Sequence, residues 1–226
     1  MTLITCIRCP ESIVLCADAQ ETVGNHRVAI QKIVPQTMKK FEVVVAGSGS
    51  GELVESFITL LDRHVRKRQF GTLKGFVEMA ESALAEFYGH DVRLYPATGD
   101  PTVKFLIAVV TRSREFNAWA TIHVRLQPID GIELVGWDEP LYKDIAARHY
   151  ERGMPEREAL ALSLHLMATA KNTSNYVGGA TSAAVISSAG IKIESEEKIQ
   201  RWETRIAEYQ RRTSKDFIRS ALKEIE

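Results

Sequence analysis

Thr2 stands directly behind the first methionine, and a small residue in that place favours removal of Met1. Removal puts an α-amine and a hydroxyl on one residue. An amine with an ordinary pKa of about 7.7–8.0 can serve as general base for that hydroxyl. The chemistry expected from such a start is acyl transfer by an N-terminal nucleophile. It needs helpers: a carboxylate and a lysine to orient the threonine and tune its proton transfer, and main-chain amides at a Gly-rich turn to hold an oxyanion. With Met1 retained, the Thr2 nitrogen is locked in a peptide bond and cannot act as base.

Other residue patterns suggest less. Gly47-Ser48-Gly49-Ser50-Gly51 lies where a strand gives way to a helix and could cradle a phosphate on its amides. Glu52, however, fills the last glycine place of a dinucleotide fingerprint, and no Gly-Lys-Ser/Thr ending makes a P-loop. Neither serine fits the Gly-x-Ser-x-Gly nucleophile elbow, so a tight turn is the simpler explanation. Cys6 and Cys9 point to opposite faces of a strand and have no second pair, which argues for buried thiols over a metal site. The six histidines form neither His-x-x-x-His nor His-Glu-x-x-His, and no metal or organic cofactor is expected. Arg66-Lys67-Arg68 read as the solvated end of a helix.

The elements that must position this chemistry follow from periodicity. Short apolar runs over 3–9, 12–17, 27–34 and 41–46 predict strands, with Pro10 and Gly24 as turn residues. After Gly51 the period lengthens. Leu53, Phe57, Leu60, Leu61 and Val65 form one helical stripe, and Leu73, Phe76, Val77, Ala80, Leu84 and Phe87 form a second, ended at Gly89. Strands over 103–111 and 119–126 then lead into helices over 140–151 and 155–169, with Gly153 between them and Pro155 suited to a first turn. A strand over 180–187 follows Gly178-Gly179. A charged tail carries Ile199, Trp202, Ile206 and Tyr209 on one docking stripe. Two helical layers, each delivered after its own strands, predict an α+β protein built as a four-layer αββα sandwich.

Composition agrees with a single globular unit. Of 226 residues, 45% are hydrophobic and 26% charged, so the chain can build a core. Equal numbers of basic and acidic residues, 29 each, remove the broad electrostatic footprint of a nucleic-acid binder. No apolar run approaches the roughly 20 residues that cross a bilayer, and the start lacks a secretory signal. Three crowded cysteines do not make a disulfide framework. A cytoplasmic protein without membrane contact is expected.

At this point the motifs combine. Thr2, the strand ending Val14-Leu15-Cys16-Ala17-Asp18, Lys32-Ile33, and Val45-Ala46-Gly47 before a helix resemble the proteasome β-subunit group of N-terminal nucleophile hydrolases. Met154-Pro155-Glu156-Arg157-Glu158-Ala159-Leu160 and Tyr176-Val177-Gly178-Gly179 extend the likeness over most of the first 190 residues. The resemblance implies Thr2 as nucleophile, Asp18 and Lys32 as its charged pair, and the Gly47 amide as oxyanion donor. It also implies an αββα domain over 1–193 with a helical extension over 194–226, peptide or unfolded-protein substrates, and a homo-oligomeric ring. Whether an ATPase serves it is left open. Trp137 stands in place of the group's supporting serine, and Ser174 and Val177 in place of an aspartate and a serine. Those departures suit a catalytically inactive assembly or regulatory subunit that keeps only the fold.

Overall fold

The structure is a computed structural model that describes residues 2–23, 26–38, 40–67, 71–95 and 103–225, with the backbone alone for 22, 23 and 213–225. Twelve strands and five helices are described. The first sheet contains β1 (Leu3–Arg8), β2 (Ser12–Asp18), β10 (Ile132–Gly136), β11 (Thr181–Ser187) and β12 (Gly190–Ile193), ordered β10-β1-β2-β11-β12. The second contains β5 (Ile33–Met38), β6 (Phe41–Ser48), β7 (Lys104–Thr111), β8 (Phe116–Ile122) and β9 (Arg125–Pro128), in chain order. Neighbouring strands in both sheets are antiparallel. A separate hairpin, β3 (Gln20–Val23) and β4 (His26–Ala29), stands between β2 and β5.

Three apolar layers explain why these strands read as unbroken apolar runs: both faces of each sheet are covered. Successive side chains of a strand point to opposite faces. Ile4, Cys6, Ile13 and Leu15 of the first sheet therefore meet Val44, Ala46, Leu106 and Ala108 of the second in a core between the sheets. On its outer face the second sheet packs Val43, Val45, Phe105 and Ile107 against α1 (Gly51–Lys67) and α2 (Leu73–Phe87), through Phe57, Leu61, Phe76 and Phe87. The first sheet packs Leu3, Ile7, Val14 and Cys16 against α3 (Glu139–Ala147) and α4 (Glu156–Thr173), through Tyr142, Leu160, Leu164 and Met167. The layers run helix, sheet, sheet, helix. This is the four-layer αββα sandwich.

Local chemistry sets the helix ends. Thr72 accepts the Gly75 N–H at the start of α2, and α4 begins behind Pro155 with Glu156 and Glu158 in its first turn and Lys171 in its last. Several boundaries differ from those expected. The run 27–34 is divided between β4 and β5, because Ile30 N–H is drawn to the Ala19 carbonyl and Lys32 is drawn inward. Gly89 does not stop the helical path, which continues as a π-helical turn, Tyr88–Val92. The third helix closes at Ala147, well before Gly153, whose φ of +86° serves a turn in the link to α4. The long helix α5 (Glu196–Ile225) docks by Ile199, Trp202 and Ile206, but Tyr209 is 70% exposed and leaves the stripe. Met1, Gly24 and Arg68 lie outside the described residues.

Candidate active site

Asp18 is the hub of the site. It ends β2 at the seam between β1 and β11, with 0% of its surface exposed. Its Oδ1 accepts the Leu3 N–H at 3.0 Å and the Lys32 ammonium at 2.9 Å. Its Oδ2 accepts the Gln20 N–H at 3.2 Å and the Gly178 N–H at 3.1 Å. Four separate stretches of chain thus meet on one carboxylate. Buried charge is tolerated only when paired and hydrogen-bonded, and this one is both.

Lys32 lies in the link before β5 and is 3% exposed. It also donates to the Gln20 carbonyl at 2.5 Å. Burial pushes its pKa below the ordinary 10.5, and the Asp18 charge opposes that shift. Lys32 is thus a buried ammonium facing a buried carboxylate.

Thr2 is 4% exposed and held from both sides. Its carbonyl accepts the Trp137 N–H at 2.7 Å, and the next amide, Leu3 N–H, is the one bound by Asp18. Gly136 makes the first contact possible. Its φ is +125°, and a Cβ there would fall 1.8 Å from the Thr2 carbonyl oxygen. Gly47, buried near the end of β6, faces Val54 of α1 so closely that a Cβ would lie 2.6 and 2.8 Å from the two valine methyls.

Thr2, Lys32 and Gly47 line one cleft of about 1140 Å³, and Asp18 sits behind its wall. Glu21, Gln31, Ser50, Glu52 and Tyr95 complete much of the lining. The Glu21 carboxylate accepts the Gly51 N–H at 3.1 Å at the start of α1. That carboxylate occupies the amide a phosphate would need, which counts against nucleotide binding at Gly47–Gly51. Sequence reasoning missed Glu21 and the positioning parts played by Gly136 and Gln20. Only the paired glycines at 178 and 179 carried a local signal.

The three places where the sequence departs from the resembling group are engaged in other work. Trp137 packs against Tyr176, with ring centroids 4.4 Å apart and the planes tilted by 43°. The Ser174 hydroxyl accepts the Tyr176 N–H, and Val177 is buried in the apolar layer beneath the helices. Cys6, Cys9 and Cys16 are buried free thiols, and burial pushes the Cys16 thiol up to about 12. Among the described residues no group of three metal-ligating side chains is found, and no helix is long and apolar enough to cross a membrane.

No protein-family model matches the chain. Curated proteins do, among them two proteasome subunits. It is 22% identical over 201 residues to a proteasome subunit beta of Methanocaldococcus fervens, covering 85% of this chain and 84% of that protein. It is 22% identical over 199 residues to that of Methanocaldococcus vulcanius, covering 84% of each. Among solved structures, Anbu (ancestral beta-subunit) from Yersinia bercovieri superposes with a TM-score of 0.74 at 14% identity, over 92% of this chain and 94% of its own. Anbu from Pseudomonas aeruginosa, solved as a helical assembly, gives 0.72 at 15% identity, over 93% and 96%. The chain resembles proteasome β subunits in sequence and in fold. Within that proteasome-like fold, Thr2 lies directly before the first strand, in the lining of a cleft whose other walls include β5, β6 and α1.

Proposed function

We propose that the chain is a proteasome-type threonine peptidase subunit, active once Met1 is removed, that works in the cytoplasm in a homo-oligomeric assembly. The observation that carries this reading is the Asp18 carboxylate, which binds both the Lys32 ammonium and the amide that follows Thr2. That buried ion pair lies behind a buried threonine at the cleft. It costs desolvation, and removing it in favour of apolar side chains is often neutral or stabilising.

The chemistry balances without a cofactor. The Thr2 Oγ1 attacks a peptide carbonyl while its proton passes to the freed α-amine. The oxyanion is held by the Gly47 N–H, and the field of Lys32 keeps the amine and hydroxyl poised for that transfer. The ammonium returns its proton to the leaving amine as the C–N bond breaks, leaving an ester on Thr2. Water, deprotonated by the same amine, then adds to the ester, and the ammonium returns that proton to Thr2 Oγ1 as the acyl C–O bond breaks and the acid leaves. The likeness to an assembling Anbu supports self-association of this chain.

The second reading is an assembly subunit without catalysis, favoured by Trp137, Ser174 and Val177 in the supporting places. Hydrolysis of a fluorogenic peptide by the wild-type chain and by Thr2→Ala separates the two. The peptidase reading expects turnover only from the wild type, after loss of Met1.

A further inference from the structure

We propose that the packed rings of Trp137 and Tyr176 are a positioning pair that fixes Thr2 for reaction, which rests on the reading of Thr2 as nucleophile. The threonine is held at two points, and each belongs to a different loop. Its carbonyl is held by the Trp137 N–H, in the turn between β10 and α3. Its following amide is held by Asp18, and Asp18 is held by the Gly178 N–H, in the loop between α4 and β11. That second loop is also tied down by the Ala19 N–H, which donates to the Gly178 carbonyl at 3.2 Å.

The two loops meet through the ring pair. Tyr176 precedes Gly178 by two residues, and its ring lies 4.4 Å from that of Trp137 with 43° between the planes. A shift of either loop moves one anchor of the threonine relative to the other. The ring contact opposes such a shift. Gly136 shows that the placement is selected closely, since any side chain there would collide with the Thr2 carbonyl.

Tyr176 is 41% exposed, and one aromatic pair contributes little of a domain's total stability. Its loss should therefore leave the fold intact. Reaction geometry is less forgiving, because displacement of a reacting group by about 1 Å can cost up to about 100-fold in rate. The rings thus hold the two loops by packing. They act through Thr2 and touch no reacting atom themselves.

The test compares Tyr176→Ala and Tyr176→Phe with wild type in the full chain. Two readouts are used: fluorogenic-peptide kinetics, and hydrogen exchange at the Leu3 and Trp137 amides. The expected result is a kcat lowered about tenfold in Tyr176→Ala with KM within about twofold, and rescue by Tyr176→Phe, which keeps the ring. Exchange at the two amides should quicken in the alanine variant alone, at an unchanged thermal midpoint. Unchanged kcat and unchanged exchange would overturn the pair. A raised KM at constant kcat would also overturn it, by making the rings a substrate wall. If Thr2→Ala proves as active as wild type, the peptidase reading fails, and the exchange data still decide whether the rings anchor Thr2.

Discussion

At the scale of single residues, the site is organised by a carboxylate with four donors, and its members are unequal. Removing Asp18 takes the paired carboxylate from a buried ammonium and the Asp18 acceptor from three amides. Removing Lys32 leaves Asp18 still bound by those three amides. Urea denaturation should therefore show Asp18→Ala losing roughly 3–5 kcal/mol and Lys32→Met distinctly less. The reverse order would mean that the carboxylate is not the hub. Lys32 adds a pH signature. Its folded pKa lies below the ordinary 10.5, so between those two values the folded chain binds fewer protons than the unfolded one. Stability relative to Lys32→Met should then rise with pH through that window. Peptide hydrolysis should fall through the same window, because the ammonium is being lost. Parallel movement of the two would contradict the part given to Lys32.

At the scale of elements, the position of Gly47 is set by how closely α1 rides over β6. Gly47→Ala forces its Cβ against the Val54 methyls, a contact a stiff β-branched side chain relieves poorly. Its expected cost is about 1–3 kcal/mol. The same change in a Val54→Ala background should cost less, as calorimetry of the four chains would reveal; equal costs would place the obstruction elsewhere. Legibility followed a similar line. The strands β1, β2 and β6 and the helices α1 and α2 were readable because their apolar residues repeat at strand or helix period. The division of 27–34 was not, since it depends on Ile30 and Lys32 finding partners at Ala19 and Asp18. Thr2, Asp18, Lys32 and Gly47 came through a family resemblance. Gly136 stayed hidden, because its need arises only where β10 meets β1 and brings it against the Thr2 carbonyl.

At the scale of the whole molecule, α5 fastens the outer helical layer. Glu203 joins Lys171 at 2.8 Å and the Thr181 hydroxyl at 2.5 Å, tying α5 to both α4 and β11. Trp202 packs beside Ile199 and Ile206 in the same layer, with the Arg157 guanidinium 5.7 Å from its ring centroid. Trp202→Ala should lower stability by about 2 kcal/mol, or about 6 °C in Tm for a chain of this size. Tyr209→Ala, at an exposed position, should change it by less than about 0.5 kcal/mol. Equal effects in calorimetry would mean that the docking face has been misplaced.

The account as a whole turns on whether Thr2, once freed, is the reacting group. Intact mass after treatment with an electrophilic peptide probe tests this most directly. The wild-type chain should lack Met1 and carry one probe adduct, and Thr2→Ala should carry none. Retention of Met1 throughout the population, or equal labelling of both chains, would contradict it.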